Sequence, residues 1–229
     1  MNICEYVKDN YENLLKEIHG YESLYGRSIT VVAVTKSGSD EELLALVGAG
    51  ADDIAENRPT ELKRRAELLQ SHGYSPRFHE IGNLQRNKVK LIINEAALIH
   101  SVGKYELAEE ISRQAVKLGI TVPVLIEVNS AKEPAKGGVF PEDAEELYLK
   151  VRTLPGLSVK GMMTMGPSLD NPEDMRPYFR LTKEIYDSIN DKYGFDGEGI
   201  LSMGMSNSYA VAIEEGSTLI RVGRKLFVK

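Results

Sequence analysis

Eight short runs rich in β-branched residues recur along this 229-residue chain, and a helical pattern separates each from the next. The runs cover 29–35, 53–56, 78–81, 98–102, 122–128, 159–165, 200–203 and 218–222. The helical patterns cover 40–47, 59–69, 87–93, 105–118, 141–151, 173–192 and 209–215, with an additional one at 3–19 ahead of the first strand. Several carry start and stop signals. DEELLALV opens with acids and is followed by Gly48 and Gly50, and the segments at 59 and 141 open with proline. Strands that alternate with helices must be joined by crossovers, and crossovers make parallel neighbours. Eight such units predict an α/β fold, a single (β/α)8 TIM barrel with an extra N-terminal helix, compact against the usual ~250 residues. No linker or repeat divides the chain, so residues 1–229 are expected to form one domain. An open doubly wound sheet is the competing architecture, but no Gly-rich dinucleotide turn follows the first strand.

Composition narrows the function. Lys and Arg number 28 against 34 Asp and Glu, a net charge of −6. Broad attraction to nucleic acid or an anionic membrane is not expected, although a local basic pocket fits within that sum. Cys4 is the single cysteine, so neither an intramolecular disulfide nor a multi-cysteine metal site can form. The first residues are charged and lack an apolar signal region, and no apolar run approaches ~20 residues, which makes a cytoplasmic location the expectation. GxxxxGK[ST], GxGxxG after a strand and GxSxG are all missing, and with them the usual local signs of nucleotide hydrolysis, dinucleotide redox chemistry and serine hydrolysis.

A barrel places its chemistry at the C-terminal ends of its strands. Small and polar residues gather there: Lys36 after the first strand, Asn57 after the second, His79 through Asn83 at the third, His100 at the fourth, Glu127 to Asn129 at the fifth, Gly204 to Ser208 after the seventh, and Arg221 to Arg224 at the eighth. Lys36 is delivered by an apolar strand, and a buried amine loses hydration and becomes a nucleophile toward aldehydes. A lysine that reaches back to water is the plainer reading. Gly204-Met205-Ser206-Asn207-Ser208 with Gly223-Arg224 reads either as a phosphate cup after strands seven and eight or as helix capping. Arg221, inside an apolar strand, needs a partner and marks a site or a structural ion pair. His79 and His100 lack the spacing of a metal site. Residues 129–138 form a loop suited to a lid.

Together these stretches resemble the pyridoxal phosphate homeostasis proteins. The resemblance is carried by Val32-Ala33-Val34-Thr35-Lys36, Ala55-Glu56-Asn57-Arg58, Phe78-His79-Glu80-Ile81-Gly82-Asn83-Leu84-Gln85-Arg86-Asn87-Lys88, Gly161-Met162-Met163-Thr164-Met165, Ser202-Met203-Gly204-Met205-Ser206 and the segment from Ala212 to Arg224. It implies a barrel of the alanine racemase N-terminal domain type holding pyridoxal 5′-phosphate (PLP) as a Schiff base on Lys36. By the same resemblance Asn57 approaches the cofactor ring, Ser206, Gly223 and Arg224 take the phosphate, Arg221 faces the pyridine nitrogen, and His79 and Met203 line the site further out. Ala55, Asn207-Ser208 and Arg224 depart from the family's usual residues at those positions.

PLP catalysis drains electrons into a protonated ring nitrogen. A cationic Arg221 beside that nitrogen opposes protonation, and a racemase needs an acid or base on each face of the ring, one of them drawn in alanine racemases from a second domain. The chain ends a few residues past strand eight. The expectation is therefore a PLP carrier of the intracellular PLP balance with little or no turnover, monomeric, serving apo PLP-dependent enzymes. A PLP-dependent amino-acid racemase is the alternative, and a barrel that holds another phosphorylated aldehyde or sugar on Lys36 is a third reading.

Overall fold

The computed structural model describes residues 3–228. In chain order these residues form α1 (Ile3–Tyr25), β1 (Thr30–Val34), α2 (Asp40–Gly48), β2 (Asp53–Glu56), α3 (Pro59–Ser71), β3 (Arg77–Glu80), α4 (Val89–Ile92), β4 (Ala96–Val102) and α5 (Tyr105–Leu118). They continue as β5 (Val122–Glu127), α6 (Ala144–Val151), β6 (Leu157–Met163), α7 (Arg176–Tyr193), β7 (Ile200–Ser202), α8 (Tyr209–Glu214) and β8 (Leu219–Val222). Each strand pairs in parallel with the next, and β8 returns to pair with β1, closing the barrel. The predicted (β/α)8 barrel and its leading helix are what the chain forms.

The two-residue period of each strand divides the core into two layers. On β1, Val32 and Val34 point inward and pack with Ala55, Leu98, Leu125, Met163 and Leu219 inside the barrel. Val31 and Ala33 point outward, into the larger core shared with Leu43, Leu46, Leu62, Ile111 and Phe179 of the surrounding helices. Helix ends follow local chemistry. Ser39 Oγ accepts the Glu42 N–H at 3.2 Å and Glu42 Oε2 accepts the Ser39 N–H at 2.6 Å, a capping box that starts α2. Gly119, at φ 66°, ends α5 in the left-handed conformation.

Four helices differ from their sequence patterns. α1 continues through Gly20 to Tyr25 instead of stopping near residue 19. The ~1 kcal/mol cost of a mid-helix glycine is offset beyond it, where Tyr21 stacks on Tyr25 and Glu22 accepts the Ile29 N–H at 2.8 Å. The segment read as a helix over 87–93 is a 3₁₀ turn, Arg86–Lys88, followed by the short α4. The segments read as helices from 141 and from 173 open as the 3₁₀ turns Pro141–Asp143 and Pro172–Met175 before α6 and α7. Among the described residues no helix is long and apolar enough to cross a membrane.

Gly161 sits where the β5–β6 register shifts, at φ 148°. A β-carbon there would overlap the carbonyl oxygen of Ile200 on β7. Gly161→Ala is expected to destabilise the barrel by about 2 kcal/mol or more, read as a lower urea midpoint for loss of helical circular dichroism.

Candidate functional site

The inward face that carries Val32 and Val34 next presents residue 36. The same two-residue step leads from Ala55 to Asn57, from Leu125 to Glu127, and from Leu219 through Arg221 to Gly223. The apolar inner layer therefore gives way, at the C-terminal ends of the strands, to a polar one. Above it lies a cavity of about 480 Å³, lined by Lys36, Asn57, Glu127, Ser206, Arg221 and Gly223 among others. Four cationic side chains, Lys36, Lys136, Arg221 and Arg224, line it with one carboxyl, Glu127. A chain of net charge −6 thus concentrates positive charge at one point.

Each side is built by a different device. Lys36 follows Thr35, whose Oγ1 donates to Glu56 Oε1 at 2.5 Å and whose carbonyl accepts Arg65 Nη1 at 2.6 Å. Arg65 Nη1 also meets Glu56 Oε1 at 2.8 Å and its Nη2 meets the Gly38 carbonyl at 2.7 Å. This buried ion pair grips the turn on both sides of Lys36. Lys36 itself makes no hydrogen bond or ion pair among the described residues. On the opposite side the Gly223 N–H donates to Ser206 Oγ at 3.1 Å, tying the loop after β7 to the end of β8. A β-carbon at Gly223 would lie 3.0 Å from the Val34 carbonyl oxygen, so glycine lets β8 pass close beside the strand that delivers Lys36. Arg221 is buried; its Nη2 donates to the Thr164 carbonyl at 2.9 Å and its Nη1 to Ser202 Oγ. Burial lowers its guanidinium to about 10, against the opposing pull of Glu127. The loop after β5 closes a third side: Lys136 Nζ donates to Glu133 Oε1 at 2.7 Å and to the Gly166 carbonyl at 3.1 Å, latching that loop to the one after β6.

Six of the eight sequence-predicted site residues, Lys36, Asn57, Ser206, Arg221, Gly223 and Arg224, line this cavity. Two do not. His79 lies one layer deeper, two residues before the lining residue Ile81, where it bonds His100 and Asp53. Met203 neighbours the inward Ser202, so the strand period turns it outward into the helix-facing core. Met165 and Met205 also reach the cavity, whereas Met162 and Met163 are core. The expected burial of Lys36 is also not met. It is exposed, because it emerges beyond the end of β1. The helix expected over 209–215 runs from Tyr209 to Glu214 and has six residues, so what the loop before it presents to the cavity is its hydroxyl and backbone groups rather than a long helix dipole. Arg221 is not a structural ion pair either: no carboxylate lies within 4.0 Å of it among the described residues.

Glu127 and Lys136 are the charged lining residues outside the predicted site set. The inward step from Leu125 is the signal that places Glu127. Burial raises the Glu127 carboxyl to about 7, with Arg221 pulling the other way. Outside the cavity wall, burial likewise raises Glu80 to about 7.

Comparison with known proteins places this geometry. The family model for the alanine racemase N-terminal domain matches residues 9–228. Among solved structures, a protein of unknown function from Bifidobacterium adolescentis superposes with a TM-score of 0.89 at 35% identity, covering 98% of this chain and 96% of that one. PipY of Synechococcus elongatus, solved with PLP bound, shares the fold at a TM-score of 0.85 and 24% identity, over 97% of this chain and all of its own. The barrel is thus of the alanine racemase N-terminal class. A pyridoxal phosphate homeostasis protein of Aquifex aeolicus is 39% identical over 99% of this chain and 98% of its own length, and this chain belongs to that family.

Because the raised carboxyl of Glu127 binds a proton that the unfolded chain releases near pH 4.5, its contribution to stability is present at low pH and lost as pH rises toward 7. In the ligand-free protein, Glu127→Gln is expected to gain about 1–2 kcal/mol over wild type at pH 8 and nothing at pH 4. Urea titrations at the two pH values check this; Glu80, unaltered, leaves a residual slope in both proteins.

Proposed function

We propose that the cavity holds PLP covalently on Lys36 and that the protein stores and hands on the cofactor with little or no turnover. Membership in a family of PLP homeostasis proteins supports the cofactor. The observation that carries the attachment is the pairing of an amine without a partner, Lys36, with an anion-compatible wall at Ser206, Gly223 and Arg224, brought together across the β1–β8 seam. The cofactor is an aldehyde at one end and a phosphate at the other, and the cavity offers a group for each. Lys36 would hold the aldehyde end through its Nζ as a C=N bond, the carbonyl oxygen leaving as water, once the amine is neutral. Ser206 Oγ, the neighbouring backbone N–H groups and the Arg224 guanidinium accommodate the phosphate. Asn57 flanks the ring.

When bound, PLP supplies an electron sink whose strength depends on a protonated ring nitrogen. Arg221 limits that sink. It is buried and cationic, its two placed N–H donors are committed to Ser202 and Thr164, and it can present only further N–H groups to the nitrogen. A guanidinium donor leaves the nitrogen unprotonated, which weakens the sink and favours holding over turnover.

The test is spectroscopic and chemical. Protein reconstituted with PLP is expected to absorb near the visible and, after borohydride reduction, to carry a stable phosphopyridoxyl adduct on the peptide containing residue 36. Lys36→Ala is expected to lose both. An adduct of undiminished yield in Lys36→Ala would refute the attachment, and rapid interconversion of D- and L-amino acids by purified loaded protein would replace the carrier reading with that of a racemase.

A further inference from the structure

The interior of a barrel of this kind is ordinarily filled with branched apolar side chains. Here a line of polar ones crosses it. Arg221 on β8 donates from Nη1 to Ser202 Oγ on β7. Ser202 Oγ lies 3.1 Å from His100 Nδ1 on β4, His100 Nε2 lies 2.9 Å from His79 Nδ1 on β3, and His79 Nε2 lies 2.9 Å from Asp53 Oδ1 at the start of β2. All five residues are buried. At the far end Arg77 Nε meets Asp53 Oδ1 at 2.7 Å, and both Asp53 and Arg77 line a second cleft, of about 200 Å³, away from the cavity. The line thus connects that cleft to the cavity wall.

The two ends dictate the hydrogen positions in between. A guanidinium only donates, so Ser202 Oγ accepts from Arg221. The serine's own hydrogen then has one acceptor among its partners, His100 Nδ1. A His100 ring that accepts at Nδ1 carries its hydrogen on Nε2 and donates to His79 Nδ1. His79 in turn carries its hydrogen on Nε2 and donates to Asp53, whose carboxyl is held down at about 2 by hydrogen bonds from Arg77 and His79 despite its burial. Every donor in the line has an acceptor and the line runs one way. The opposite arrangement, with an added proton on His79, leaves the Ser202 hydroxyl hydrogen with no acceptor. It also sets a second cation in an interior where burial, then the neighbouring His79 and then Arg221 already hold His100 well below its ordinary value. The charged groups facing the line are Arg77 and Asp53 at one end and Arg221 with Glu127 at the other.

We propose that Asp53, His79, His100 and Ser202 form a one-way hydrogen-bond relay, both histidines neutral with hydrogen on Nε2, that positions the Arg221 guanidinium against the ring held in the cavity. That the ring is PLP's rests on the function proposed above; the direction of the relay does not. The relay explains why a barrel interior carries buried polar groups that contribute little net stability: they set the orientation of one cation. It also gives His79, absent from the cavity wall, a role at one remove.

Two measurements test this separately. In ligand-free protein at pH 7.5, long-range ¹H–¹⁵N correlation of labelled histidines, assigned with His79→Gln and His100→Gln, is expected to show both rings protonated at Nε2 and bare at Nδ1. An Nδ1-protonated or doubly protonated ring at either position overturns the direction of the relay. In PLP-loaded protein, Ser202→Ala is expected to weaken PLP binding about tenfold, the worth of one hydrogen bond to a charged group, and to shift the cofactor's absorption maximum. The distal variant Asp53→Asn is expected to shift the maximum in the same direction. A role confined to folding would lower the melting temperature of these variants and leave the spectrum of bound cofactor unmoved, and that result overturns the positioning role. Failure of wild-type protein to take up PLP refutes the functional proposal and leaves the tautomers as the measure of the relay.

Discussion

The pairing of β8 with β1 is the contact on which the rest depends. Val32 stands opposite Arg221 and Ala33 opposite Val222, so the last strand ends beside the first. Without that seam the sheet has two open edges, and Lys36 and Gly223 lie at opposite ends of an open array. With it, each inward-pointing residue at a strand end faces a common centre, and an amine from the start of the chain meets a phosphate-compatible wall from its end. Gly223 is the steric condition for the seam at this height, since a side chain there would press on the Val34 carbonyl.

Closure also creates a buried interior, and the chain uses it in two ways. The lower layer is partly apolar, with Val32, Val34, Ala55, Leu98, Leu125, Met163 and Leu219 in contact. Through it runs the line of Asp53, His79, His100 and Ser202. Buried polar groups are tolerated only when each is satisfied, and here the satisfaction ends at Arg221. On the outer side of β2, the Arg65–Glu56 pair does comparable work for the turn that carries Lys36. The cavity is therefore shaped from behind by two buried polar arrangements, one inside the barrel and one outside it, while Lys36 stays free of partners.

Much of this was legible in order but not in depth. The eight strands were readable because parallel strands buried on both faces appear as short β-branched runs, and all eight recur within two residues of their expected ends. Six of eight predicted site residues line one cavity because strand ends in a closed barrel converge. His79 and Met203, expected to line the site further out, sit below and behind the cavity wall for one shared reason. A residue near a strand end can sit above, below or behind the layer that lines a cavity, and only the register decides which. Glu127 was visible as a strand-end acid, but its raised carboxyl depends on burial that no local pattern encodes.

The alternation of runs, the caps and the absence of any long apolar segment are local properties, written in side-chain volume, polarity and spacing, and the sequence alone determined them: a barrel, its direction, and the end at which chemistry belongs. The tertiary structure decided what required residues far apart in the chain to meet. It set which face of each strand turned inward, gave Arg221 a chain of neutral partners instead of a carboxylate, and left Lys36 exposed at the mouth of the cavity. Those outcomes depend on distance, burial and register between strands, which exist only once the barrel has closed.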